Sequence, residues 1–274
     1  MQDAVPISLG MQFASFAEAI ARDRWLIFKS EERIRMVNIG GTAAGTGLTA
    51  PREYIFLVIE KLRAVTGLGI ARAELVMDAT ANLDSIVEVS GMVAANGVNL
   101  IKIAKDIRFL HYQKEVGVPA VQAGSSIMPG KVNPVILEAV ISASKKVLSL
   151  DSLIKELSSD GTLQINEYLP LIADSILEEL ELLQRANEIF AKLLENLTAN
   201  RDVCREKTAS SLMIITAFIP VIGYEKAEEI LERFSKQKTE KNFRAFLADI
   251  VGEELVEETL SSANLTALGY RKKR

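Results

Sequence analysis

The chain has 274 residues, of which 49% are apolar and 25% charged, with a formal net charge of −4. This is the composition of a globular protein with a substantial core, in one large domain or two smaller ones, and its slight acidity argues against non-specific nucleic-acid binding. The single cysteine, Cys204, excludes an internal disulfide and fits a reducing compartment.

Met1-Gln2-Asp3 offers neither the basic region nor the apolar core of a secretory signal, so a cytoplasmic location is expected. Seven prolines are scattered over long, charged, Leu/Ile/Ala-rich stretches, and no stretch shows sustained strand alternation. The chain is therefore expected to be all-α: a long-helix bundle over 1–199, then a small helical domain over 200–274.

Leu9, Phe13, Phe16, Ile20, Ile27, Ile34 and Val37 recur at helical spacing and predict a first helix over 8–38, with Ser8 as its N-cap. The glycine-rich segment 40–47 ends it. That segment lacks the Gly-Lys-Ser/Thr ending of a phosphate-binding loop and follows no strand, so nucleotide binding is not expected. A second helix is predicted from Pro51 to just before Gly67.

The longest pattern covers 81–112, where Leu83, Ile86, Val87, Ser90, Val93, Ala94, Gly97, Leu100, Ile101, Ala104 and Ile107 form one stripe. Such a helix spans roughly 45 Å. Gly91, Ala94, Ala95 and Gly97 are small enough to admit neighbouring helices. Val89, Met92 and Val98 add apolar surface beyond one intramolecular face, as in a bundle or oligomer core. A second long helix is predicted over 131–157, closed by Ser158-Ser159-Asp160-Gly161, and a third over 166–197.

After Asn200 shorter helices are predicted over 201–211, 224–236, 239–251 and 253–260, with Thr239 capping the third. The apolar run 212–223 is about half a membrane span and contains Pro220, so it reads as core and no membrane contact is expected. Arg271-Lys272-Lys273-Arg274 reads as a solvated basic end.

Between the first two long helices lies Gly124-Ser125-Ser126-Ile127-Met128-Pro129-Gly130-Lys131-Val132-Asn133-Pro134. Taken by composition this is a mobile turn running into a helix N-terminus, where unpaired N–H groups and partial positive charge suit a carboxylate. Lys131 adds a full charge and Asn133 a neutral donor. The simpler reading is a Gly/Ser/Pro connection with no further role.

The order and spacing of those eleven residues resemble the signature loop of the aspartase/fumarase superfamily, in the branch that holds fumarases and aspartate ammonia-lyases. The likeness extends along the chain. Gln2-Asp3-Ala4-Val5-Pro6 is similar to the segment that follows the family's threonine–histidine pair. Gly41-Thr42-Ala43-Ala44-Gly45-Thr46-Gly47-Leu48 is similar to a second family loop, with Thr49 where the family usually has asparagine. Gln122-Ala123, Leu163-Gln164-Ile165-Asn166 and 198–204 look more like aspartases than fumarases.

The resemblance implies a central five-helix bundle and a homotetramer with a twenty-helix core, whose active sites draw on three chains. It implies anti-elimination of ammonia from L-aspartate to give fumarate, with water elimination from malate as the alternative, and it calls for no cofactor and no metal. By resemblance Ser125 is the base. Ser126 binds substrate, Lys131 and Asn133 hold the reacting carboxylate, and Glu138 pairs with the histidine of the threonine–histidine segment. That pair would fall just before Met1, so the expected partners are the small dicarboxylate substrate and a separate N-terminal polypeptide that completes the site. A helical assembly protein without catalysis is the alternative of another class. His111, at the end of the long helix, is read as a surface or packing histidine rather than a replacement for the family's histidine, and Cys204 has no activating neighbour evident that would make it a nucleophile.

Overall fold

The computed structural model describes residues 2–237 and 241–270. In chain order these form α1 (Leu9–Arg33), β1 (Met36–Val37), α2 (Arg52–Thr66), β2 (Ala71–Arg72), α3 (Asp78–Ala81), α4 (Asp84–Tyr112) and β3 (Val116–Gly117). There follow α5 (Val135–Ser159), α6 (Leu169–Leu194), β4 (Thr198–Ala199), α7 (Arg201–Ser210) and a 3-10 helix at Leu212–Phe218. The chain ends with α8 (Ile219–Ile222), α9 (Tyr224–Lys236), α10 (Phe243–Val251), α11 (Glu253–Thr259) and α12 (Ser262–Leu265). It divides into two compact units. One is made of Glu18–Phe109 and Val118–Leu197; the other takes residues 2–17, Leu110–Gly117 and the described residues from Thr198 onward.

The first unit is a helical bundle. Helix α1 begins in the other unit, where Ser8 caps it: its Oγ accepts from Met11 N at 3.1 Å, satisfying one of the donors a helix start leaves open. Within the bundle Asp23 of α1 accepts from Asn96 at 2.9 Å and from Asn99 of α4 at 2.8 Å. Asn187 of α6 donates to Asn96 at 2.9 Å. These bonds fix the helices' register where apolar packing alone leaves it loose. Leu83, Ile154, Leu157 and Ile172 form one apolar cluster between α5, α6 and the start of α4.

Helix α4 is long and apolar enough to cross a membrane. Its stripe is instead spent on the core, with Val93, Leu100, Ala104 and Ile107 almost fully buried. Val89 is also buried, contrary to its expected place on a second apolar face, whereas Val98 is 51% exposed. Both lie on a helix too long for a single drift-free stripe, because 3.6 residues per turn slips against a 3.5 repeat.

The glycine segment does steric work. A Cβ on Gly45 would stand 2.3 Å from Met77 Cα, and one on Gly41 2.4 Å from Val76 Cγ1. Thr49, exposed, is held at φ +73, a left-handed conformation that β-branched residues resist and asparagine tolerates. Gly67, also left-handed, closes α2.

Helix α6 starts at Leu169, not at Asn166 as the periodicity suggests. The Asn166 side chain is occupied in the preceding turn, donating to Leu157 O at 3.0 Å and accepting from Tyr168 N at 2.9 Å. Pro170 sits in the first helical turn, where its missing N–H leaves no helical bond unmade.

In the second unit, β3 and β4 pair antiparallel, Val116 against Ala199. Asn200 caps α7 through Val203 N at 3.3 Å. The core gathers Ile214, Phe218, Ile230, Phe243, Leu247 and Val256, with Phe234 edge-on to Phe243 and Phe246 at 5.1 Å each. The run 212–223 thus packs as core. Helix α10 begins at Phe243, capped by Asn242 at 2.9 Å to Ala245 N. Thr239 and the basic stretch 271–274 lie outside the described residues.

Candidate active site

The signature loop belongs to the bundle unit and joins the α4 side of the chain to α5. It folds back on itself. Ser125 N donates to Lys131 O at 2.9 Å and Lys131 N to Met128 O at 3.1 Å. Closure brings backbone against backbone at Gly124, where a Cβ would sit 2.7 Å from Lys131 O. Gly130 supplies the left-handed residue the turn needs, at φ +80.

The turn aims two backbone donors at one side-chain oxygen. Ser125 Oγ accepts from Ile127 N at 3.3 Å and from Met128 N at 3.1 Å. Two fixed N–H groups on a hydroxyl oxygen favour negative charge there, which is what a serine needs to act as a base. Ser125 is half-buried, while Ser126, Lys131 and Asn133 are exposed. Among the described residues no hydrogen bond joins the Ser125 side chain to Lys131, Asn133 or Glu138.

The helix after the loop begins at Val135, so Lys131 and Asn133 precede it rather than form its first turn, correcting the predicted start at 131. Pro134 explains this. It disfavours the helical region for Asn133, and the Lys131 N–H is already committed to Met128 O. Glu138 falls in the first turn of α5, its N–H bonded to Pro134 O at 3.3 Å.

Glu138 is partnered within the chain. Its Oε1 lies 3.2 Å from Arg108 Nη2 near the end of α4, with both side chains partly exposed. Sequence reasoning missed Arg108. Thirty positions separate the pair, and no periodic or motif signal connects a cation on one helix to an acid on the next.

In the other unit His111 is half-buried with Nδ1 3.1 Å from Val116 O. The carbonyl only accepts, so the ring donates there. Burial, and then the Glu115 carboxylate, push the Cys204 thiol above its ordinary range, which opposes a nucleophilic role. A cavity of about 690 Å³ lined by His111, Lys114, Asn200, Arg201 and Arg205, among others, lies in the same unit and shares no residue with the serine loop.

A family model described as a lyase matches residues 1–149. Aspartate ammonia-lyase of Pseudomonas canavaninivorans is 39% identical over 237 residues, covering 84% of this chain and 50% of that protein. Fumarate hydratase class II of Mycobacterium tuberculosis is 37% identical over 269 residues, covering 95% and 56%. The crystal structure of a fumarate lyase:delta crystallin from Brucella melitensis bound to cobalt superposes with a TM-score of 0.89 at 32% identity, covering 97% of this chain and 59% of that one. The chain spans about half the length of the curated relatives it matches. With the serine loop, the long-helix bundle and the family match in agreement, the chain belongs to the aspartase/fumarase superfamily of lyases.

Proposed function

We propose that this chain carries the base and one carboxylate-binding half of an aspartate ammonia-lyase site. The observation that carries the reading is the pair of backbone N–H groups on Ser125 Oγ. A proton next to a carboxylate is very weakly acidic, so its removal needs a placed base and stabilisation of the doubly charged aci-carboxylate. Ser125, as alkoxide, takes the C3 proton of L-aspartate. The electron pair moves into the adjacent carboxylate, held by Lys131 and Asn133, then returns to form the C2–C3 double bond as ammonia leaves C2. Ser126 hydrogen-bonds the substrate. The loop closes over it and excludes water. No cofactor or metal takes part in this scheme.

The remaining groups, those that grip the second carboxylate and assist the departing ammonia, are assigned to the N-terminal portion that the family resemblance implies. It is supplied as a separate polypeptide or as part of a longer chain, and its histidine meets Glu138. The assembly is a cytoplasmic homotetramer. In support, Val98 and Phe109 on α4 and Leu177 and Leu180 on α6 remain exposed in the single chain, apolar surface of the kind subunit contacts bury.

A second reading, fumarase, is favoured by the 37% identity to a class II fumarate hydratase over nearly the whole chain. The test is to combine the chain with an N-terminal polypeptide ending in the threonine–histidine pair and follow fumarate formation from L-aspartate and from malate. Faster turnover of aspartate supports the proposal. Malate turnover far above aspartate turnover assigns the site to the fumarases. A stable complex that turns over neither substrate refutes the enzymatic reading in favour of a non-catalytic assembly.

A further inference from the structure

Midway along the bundle, far in sequence from the serine loop, three buried polar side chains meet. Ser90 of α4 and Glu179 of α6 are fully buried and Asp151 of α5 is 7% exposed. Ser90 Oγ lies 2.9 Å from Glu179 Oε2 and 3.0 Å from Asp151 Oδ1. Lys155 Nζ lies 2.5 Å from Asp151 Oδ2.

A hydroxyl carries one hydrogen and an ionised carboxylate carries none. If both acids were ionised, one of the two short contacts to Ser90 would set lone pair against lone pair, with two like charges on either side. The cluster closes only if a carboxyl supplies the second hydrogen. Lys155 puts its charge on Asp151, so the proton belongs on Glu179. The chain of donors then runs from Glu179 Oε2–H to Ser90 Oγ, from Ser90 O–H to Asp151 Oδ1, and from Lys155 to Asp151 Oδ2. Glu179 Oε1 has no hydrogen-bond partner among the described residues. A neutral carboxyl bears that at far less cost than a carboxylate.

We propose that Glu179 is a proton-holding site in the folded chain, and that the packing of α4, α5 and α6 around it is destabilised when the proton is lost. The groups that face it are Ser90 on α4 and Asp151 and Lys155 on α5. Burial is the main cause that pushes the Glu179 carboxyl up, to about 7, with the Asp151 charge adding to it; the Ser90 hydrogen bond and Lys155 pull the other way. The native chain therefore binds more protons than the unfolded one between the ordinary glutamate range and about pH 7. The stability this proton contributes is full below that interval and is lost as pH rises through it.

The experiment is urea unfolding of the whole chain at pH 5.5 and 8.0, for the wild type and Glu179→Gln. Across this interval the unfolding constant of the wild type is expected to rise roughly 30-fold more than that of the variant. Parallel pH dependences overturn the proposal. A second measurement stands even if the variant does not fold: infrared spectra of the wild type labelled with ¹³C-glutamate. A neutral-carboxyl band at pH 6 that disappears with a midpoint near 7 supports the proposal, and its absence at pH 6 refutes it.

Discussion

Arg108 Nη2 lies 3.2 Å from Glu138 Oε1, tying the last turns of α4 to the first turn of α5. The two ends of the connection that carries the serine loop are thereby held to each other across a gap of thirty residues. Glu138 is the acid that the family resemblance pairs with an incoming histidine. In this chain it waits as half of an ion pair rather than as an orphan carboxylate.

Because both partners are partly exposed, the pair contributes little to stability. Arg108→Ala is expected to lower the unfolding free energy by less than about 1 kcal/mol. Its effect on turnover in the completed enzyme is expected to be larger than that, since Glu138 loses its orientation. Denaturant unfolding and steady-state kinetics on the same variant check both halves. A stability loss with unaltered kcat would show that the pair serves packing alone.

Gly124 is required by close approach, with 2.7 Å between a would-be Cβ and Lys131 O. Gly124→Ala is expected to open the loop and pull the Ile127 and Met128 N–H groups off Ser125. A displacement of that size costs on the order of 100-fold in rate. Circular dichroism is expected to stay unchanged, because no helix depends on the loop. Wild-type kinetics would mean that the loop geometry is unimportant.

Thr49→Asn is expected to stabilise the chain by about 1 kcal/mol, because asparagine accepts the left-handed backbone that threonine resists. Thr49 is exposed, so no packing is lost. A shift in the urea midpoint at constant slope checks it; a lower midpoint would contradict it.

Lys131→Met is expected to raise KM and lower kcat together, since its charge acts on the bound carboxylate and on the aci-carboxylate alike. Both constants remaining at wild-type values would place Lys131 away from the substrate.

Much of the bundle was legible because long apolar stripes have one helical solution. Leu83 through Ile107 predicted α4, and α9 falls where its pattern placed it, at Tyr224–Lys236. What escaped was of two kinds. Helices α3 and α12 have four residues each, too short to display a period. Contacts such as Ser90 with Asp151 and Glu179 join residues 61 and 89 positions apart. In the sequence Ser90 is merely a small residue in a stripe, and nothing local marks it as a buried hydrogen-bond centre. At the loop, the motif named Ser125 by resemblance alone. That backbone amides of a glycine-flanked loop can support a serine base is readable from the residues; that those of Ile127 and Met128 do so is decided by the backbone fold, which a residue list does not display.

The most direct measurement is kcat for L-aspartate in the completed enzyme with Ser125→Ala, alongside a check of its unfolding midpoint. A serine base predicts a fall of roughly 10²- to 10⁴-fold at unchanged stability, because a surface loop supports little of the fold. Turnover close to that of the wild type would contradict the account, leaving the N–H groups around Ser125 as loop structure and the base to be found elsewhere.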